Sequence, residues 1–271
     1  MLPSVIDRNS PLSEGINPVS KGTAMSSSVH ESVHIGSGTQ HGEFCVFGEN
    51  VRIGNSCVIG HHVVVHPGTV VGDDVRIDDH AILGKTPMRS PVIAIPQGEN
   101  LPALKIASRA LVGTGATLYR GSIIGMDCLI ADYASVREES TIGEYTIIGR
   151  GTVIENRVNV GRRCKVETGV FISAYSTIGD DCFIAPQVSA TNDNFLGRTE
   201  ERKKHFKGIT IQNGGRIGAN AILLPGLTVE TDGVAAAGAV VTRNIPARKI
   251  VAGIPAKPLR DVPPEQLLQN Q

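Results

Sequence analysis

The 271-residue chain sets 26 Lys and Arg against 26 Asp and Glu, and its formal net charge is zero. That balance offers no basic field for nucleic acid and no polybasic run for a membrane surface. With no Trp, 4% aromatics and 31 Gly, the composition points away from a core of large aromatic side chains and towards small, repeated layers.

Met1 to Ser28 shows no repeat and reads as a flexible N-terminal extension, residues 1–28, with Met25 as an alternative start. It lacks a basic-then-apolar signal segment, and the longest apolar run is too short to cross a bilayer. A soluble cytoplasmic protein is the expectation. From residue 29 to 245 the sequence beats in sixes. Phe47, Ile53, Ile59, Val65, Val71, Ile77 and Leu83 begin the count, which resumes at Ile106 and runs through Ile130, Val136, Ile142, Ile148, Ile154 and Val160 to Ala190. A third run goes from Ile211 to Val241. Residues six apart on an α-helix lie about 240° apart and share no face. An even step on a strand does share one. No strand is this long, so the chain turns at a fixed interval, and glycine after the aliphatic marks the turn.

Four residues after each aliphatic sits a small one, such as Ala116, Ser122, Ala134, Ser140, Thr146 or Thr152. One large and one small inward residue per six is the hexapeptide pattern of a parallel β-helix. Three hexads make an eighteen-residue triangular coil, and coils stack at about 4.8 Å. The expectation is all-β, with about ten coils, two loop insertions and a C-terminal segment over 246–271. Cys45, Cys57, Cys128, Cys164 and Cys182 fall on the small inward position and read as buried, reduced thiols. The odd count argues against a disulfide framework.

The insertions are 85–105 and 192–210. If each sits between adjacent hexads, Phe47, Val65, Leu83, Leu118, Val136, Ile154, Ile172, Ala190, Leu223 and Val241 share one face, and both insertions leave from the corner after it. That corner carries Tyr119-Arg120, Arg137-Glu138, Glu155-Asn156, Ser173-Ala174-Tyr175 and Thr191-Asn192-Asp193 in successive coils. The corner after Ile124, Ile142, Val160 and Ile178 keeps glycine throughout. Replacing an easy turn residue repeatedly along one edge points to another demand. That demand is either a binding site or an ion-pair ladder against a second subunit, and the two are compatible.

These repeats resemble the left-handed β-helix of hexapeptide-repeat acyltransferases, over roughly Val29 to Leu259. The left hand is implied by the family and runs against the usual crossover rule. "VAAAGAVVTRNIPARKIVAGIPAKPL", Val234 to Leu259, resembles the segment with which such enzymes hold an acyl-CoA donor. Ala237, Gly238 and Ala239 would let a pantetheine arm lie against backbone, and Arg243, Lys249 and Lys257 would meet CoA phosphates. "TNDNFLGRTEERKKHFKGITIQNGGRIGANAILLPGLTV", with "ILGKTPMR", "IADYASVRE" and "AYSTIGDDCFIAP", resembles N-acyltransferases acting on dTDP-linked amino-deoxysugars. The resemblance implies N-acylation of a nucleotide-linked sugar amine by acyl-CoA, without a metal, in a homotrimer.

Acyl transfer to an amine needs a neutral amine about 3 Å from the thioester carbon and donors for the oxyanion. Many hexapeptide enzymes use a histidine base, but the hexads from Ile106 to Ala190 contain none. The reading therefore favours carboxylates: Glu138 first, Asp193 second, orienting the amine or taking its proton through water. Lys85, Tyr119, Arg120, Arg137, Asn156 and Asn192 are the candidate substrate contacts, with an arginine meeting the diphosphate and Tyr119 on the sugar. His205 in the second insertion reads as a solvated loop residue. Three alternatives stay open. One is acylation of an amino acid. The second is a zinc enzyme of the carbonic-anhydrase type, with three histidines from among His61, His62, His66 and His80 at a subunit cleft. The third is a non-catalytic scaffold.

Overall fold

The computed structural model describes residues 27–88, 90, 92–93 and 100–271. All but the end of the expected extension at 1–28, Met25 included, lies outside them, as does the tip of the first insertion. Nearly every hexad becomes a two-residue strand with one residue out and one in. In Arg52–Ile53, for example, the arginine is exposed and the isoleucine buried. Among the described residues these strands stack into three sheets of 11, 10 and 12 members. All neighbours are parallel except the final hairpin of the third sheet.

Within each sheet the partners are eighteen residues apart, as with Val136 and Ile154. Across the insertions the register survives: Leu83 faces Leu118 and Ala190 faces Leu223. All ten residues expected on one face lie in the first sheet. The stack is taller than the ten coils read from the repeat. Ser28–Val29 already pairs with Val46–Phe47, and Lys249–Ala252 continues the third sheet beside Val234–Ala235. A parallel ladder is made by backbone groups, so coils form at both ends where the aliphatic beat has faded.

The core is one column of aliphatics, with Phe47, Ile59, Leu118, Ile148 and Ile154 at most 1% exposed. The small inward position has a hydrogen-bonding role besides its size. Thr146 Oγ1 donates to the Gly161 carbonyl at 2.8 Å and accepts from Cys164 N–H at 3.0 Å. Ser140 and Thr152 repeat this bridge. The cysteines at that position are free and buried, and Cys128 Sγ lies 3.0 Å from the Gly143 carbonyl. Burial pushes the Cys128 thiol up to about 11, so it stays protonated at neutral pH.

The glycines after the aliphatics are needed for a reason other than a left-handed backbone. A Cβ on Gly143 would stand 2.5 Å from the backbone of Gly161 in the next coil. The left-handed residue of that turn comes two positions later, as at Tyr145 (φ 59) and Arg163 (φ 54). Glycine there lets coils approach closely, and the strained turn geometry is carried by ordinary side chains held in the stack.

Each coil thus has three edges. The first edge links the first sheet to the second, the second edge links the second to the third, and the third edge returns to the first sheet. The chain ends in the hairpin of Lys249–Ala252 and Lys257–Asp261 and two short turns, Pro264–Gln266 and Leu268–Asn270. Ile250, Val262 and Leu267 pack there with Val234.

Candidate functional site

Both insertions leave from the first edge. Strand Ile82–Lys85 ends at Lys85, and Asn192 follows Ser189–Ala190 of the same sheet. Between them every coil places a side chain on the edge one step above the last. Tyr119 lies beside Lys85 in register. Its ring has the Lys85 Nζ 5.5 Å from its centroid and the Arg137 guanidinium 5.1 Å away. Cations from the coils before and after therefore flank one phenol.

Arg137 grips Glu138 with two bonds, Nε to Oε2 at 2.9 Å and Nη2 to Oε1 at 3.0 Å. It reaches Glu155 at 3.4 Å. Burial alone would lower the Arg137 pKa, but the Glu138 and Glu155 carboxylates turn the shift upward. Glu138 is 0% exposed. A carboxylate held this way orients a guanidinium; neither oxygen is placed to take a proton from a substrate. Arg120 differs from Arg137. Its guanidinium donates to the carbonyls of Pro67 at 2.8 Å and Leu101 at 3.4 Å, and among the described residues it has no carboxylate partner. Asn156, 4% exposed, makes no side-chain hydrogen bond among the described residues. Next to Asn156, Arg157 joins Glu139 of the coil before at 2.9 Å and the Tyr175 hydroxyl of the coil after at 3.0 Å.

Asp193 organises the second insertion. It accepts from Phe195 N–H at 2.8 Å, Gly197 N–H at 3.0 Å and Arg202 Nη1 at 3.1 Å. Burial works to raise its pKa, but these donors outweigh it and hold the carboxyl below its ordinary value. Asn192 contributes its carbonyl, which accepts from Lys207 N–H at 3.2 Å. Glu138 and Asp193 share the edge but stand three coils apart, about 14 Å along the axis. They do not meet at one reacting atom. Replacing Asp193 with alanine is expected to loosen the insertion while leaving the prism intact. Limited trypsin digestion should then cut after Arg202 to Lys204 several-fold faster than in the unsubstituted chain, with the thermal midpoint little changed.

The edge also holds a histidine that the sequence reading set aside. His66 follows Val64–Val65 of the first sheet, one coil below Leu83. It is partly buried. Burial first, then Arg120 and Lys85, hold its imidazole below the ordinary 6.5, so it is neutral at pH 7. The available signal was its offset. His66 follows Val65 by one position, as Arg137 follows Val136, although it lies in a coil before the run from Ile106 to Ala190.

The other histidines fall elsewhere. His62 stacks on His80 at 4.9 Å and on Phe44 at 4.8 Å along the third edge, and His61 Nδ1 accepts from Glu43 N–H at 3.0 Å. The four histidines of the zinc alternative are therefore divided between two edges. Among the described residues no group of three or more potential ligands is placed to hold a metal. His205 pairs with Glu201 at 3.2 Å on an exposed turn.

The donor residues are also divided. Arg243 and Lys257 line one cavity of about 330 Å3 with Val251, Pro255 and Ala256, where the last coil meets the hairpin. Lys249 is engaged by Asp261. Ala237 and Gly238 lie exposed on the third edge, where nothing stands within 4 Å of a Cβ built on Gly238, whereas Ala239, expected beside them as a donor contact, is 0% exposed because it fills the small inward position of the core. That leaves bare backbone open beside Ala237 and Gly238.

The family model "Bacterial transferase hexapeptide (six repeats)" matches residues 32–67 and 121–156. "Hexapeptide repeat of succinyl-transferase" matches 140–174. The chain is 26% identical over 170 residues to the galactoside O-acetyltransferase of Escherichia coli, covering 60% of this chain and 82% of that one. It is 44% identical over 54 residues to the 2,3,4,5-tetrahydropyridine-2,6-dicarboxylate N-acetyltransferase of Enterococcus faecalis, 20% of this chain and 23% of that one. The crystal structure of Arabidopsis UDP-N-acetylglucosamine acyltransferase superposes with a TM-score of 0.51 at 18% identity, over 90% of this chain and 75% of that one. That likeness is one of fold. Among the described residues no helix is long and apolar enough to cross a membrane.

Proposed function

We propose that this chain is a hexapeptide-repeat acyltransferase that moves an acyl group, acetyl or similar, from acyl-CoA to the amine of a nucleotide-linked amino-deoxysugar. The observation that carries the reading is the first edge. Six successive coils, from Lys85 to Asn192, set polar side chains in one column between the two insertions, and a neutral histidine lies one coil beyond. The free amine forms a C–N bond with the thioester carbon, the C–S bond breaks, and CoA leaves as the thiol. The amine proton goes to the His66 imidazole, which is neutral and so able to accept it, and passes from there to the departing sulfur. Arg120 and Lys85 meet the nucleotide's diphosphate, Tyr119 packs on the sugar, and Asn156 bonds its hydroxyls. Arg137 is already neutralised, so Glu138 serves by fixing Arg137 against Tyr119, and Asp193 serves by shaping the insertion over the edge. Acyl-CoA lies along Ala237 and Gly238 with its phosphates towards Arg243 and Lys257. A cleft between prisms brings third-edge and first-edge groups together, so the active form is a homotrimer. Its expected mass in solution is three times the 28.6 kDa of one chain; a monomer that turns over would remove this part of the reading.

The test is thiol release from acetyl-CoA with a panel of nucleotide-linked amino sugars, the corresponding hydroxyl sugars, galactosides and amino acids. Release that depends on the nucleotide-linked sugar amine is the expected result. A sugar hydroxyl is the second acceptor to try, because a relative matched over 82% of its length is named as a galactoside O-acetyltransferase. Release only with an amino acid would move the acceptor class, and no release with any acceptor would favour a scaffold.

A further inference from the structure

We propose that the outer face of the first sheet is an interface with a second copy of this chain, and that the third edge of that copy covers it. The proposal rests on the homotrimer reading and names the surfaces that build the cleft. Each of the 11 strands of the first sheet turns one residue outward. Val46, Val64, Ile82, Val153, Phe171 and Ile222 are among them, and the others are serine, threonine or valine. None is charged. The second sheet turns Arg52 and Lys105 outward, and the third turns out Arg76, Lys165 and Arg216.

A solvated surface is about 25–35% charged, so a face of this many positions in water would hold about three charges. Parallel sheets are ordinarily covered on both faces, and loss of charge marks the middle of a protein interface. The face is about 48 Å tall by the strand spacing and about 20 Å wide by the length of a hexad. That offers on the order of 900 Å2, against about 800 Å2 per partner in a stable complex.

Symmetry limits what can cover it. Three equal hexads make a triangular section, so faces and edges alternate at about 60° around the column. A three-fold turns each copy by about 120°, which sets an edge, and not a face, squarely against a neighbour's face. The second edge lies opposite the first sheet in its own prism and would point at a neighbour's first sheet only without rotation. The choice falls between the first and third edges. The first carries the insertions and the Arg137–Glu138 pair. The third carries exposed rings. Phe44 and Tyr133 are 40% and 59% exposed, Phe44, His62 and His80 stack in series, and the Arg150 guanidinium lies 5.6 Å from the Tyr133 centroid. Aromatic side chains are what interface cores favour. Because the first edge borders the same sheet, this contact sets the neighbour's third edge beside the column from Lys85 to Asn192.

The test is the mass of the full chain by size exclusion with light scattering, for the native protein and three variants. Tyr133→Asp on the third edge and Phe171→Asp on the first sheet, 39% exposed, each put a charge into the contact. Each should lower the mass about threefold. Tyr145→Asp takes the same left-handed turn position on the second edge and is 53% exposed; it should keep the native mass. Far-UV circular dichroism checks that the coils persist, and either of the first two variants, once folded, decides the matter. With a trimeric native chain, the proposal is overturned by native mass in a folded Tyr133→Asp or Phe171→Asp, or by dissociation of Tyr145→Asp, and the homotrimer reading survives. A native chain of one- or two-chain mass removes that reading and this contact together.

Discussion

Arg137→Ala should lower stability by about 3–5 kcal/mol, the usual cost of stripping one partner from a buried pair. Glu138 is fully buried, and both its oxygens are spent on Arg137. Remove the guanidinium and a carboxylate remains inside the first edge with neither water nor a counter-charge. The pair itself is worth far less than this loss, because two ions had to be desolvated to make it. The double replacement Arg137→Met with Glu138→Leu should therefore recover most of the stability while losing the cation against Tyr119. Denaturant unfolding of the two variants measures the difference directly. If the double variant is as unstable as Arg137→Ala, the cost lies in side-chain packing and the account given for Glu138 is wrong.

His66→Asn should reduce kcat/KM by about 10²–10⁴-fold, the range for losing a general base, with KM for acyl-CoA little changed. The pH profile distinguishes this from a structural effect. Burial, Arg120 and Lys85 keep the folded imidazole below 6.5, so the acid limb of kcat/KM should fall below that value and be absent in the variant. Linkage runs the same way. A pKa lowered on folding means the unfolded chain takes the proton first, so stability is full above 6.5 and declines as pH falls through the folded value. His66→Asn should be less acid-sensitive than the native chain. An acid limb that persists in His66→Asn would assign the proton to another group, or to none.

The helix period, the two interruptions and the shared face of Phe47 to Val241 are legible in the sequence, because inward residues in a stacked coil obey a spacing that nothing distant can shift. That spacing also places Lys85 and Asn192 on one edge. The reading took Glu138 and Asp193 for reactive groups because it counted residues that carry charge at the right corner. It had no means of seeing that Arg137 already occupies one and the loop's own N–H groups the other. The reach of a side chain decides such partnerships, and a repeat does not encode reach. His66 was passed over for a related reason: a base is recognised by its neighbours in adjacent coils, and two of them, Lys85 and Arg120, sit at and beyond the first insertion. The donor set likewise looked continuous along the chain but turns through two edges of the prism. Sequence alone thus determined the column, its register and the edge where chemistry collects. Only the tertiary structure decided which ions are free, because burial and pairing between coils are set by contacts that linear spacing leaves open.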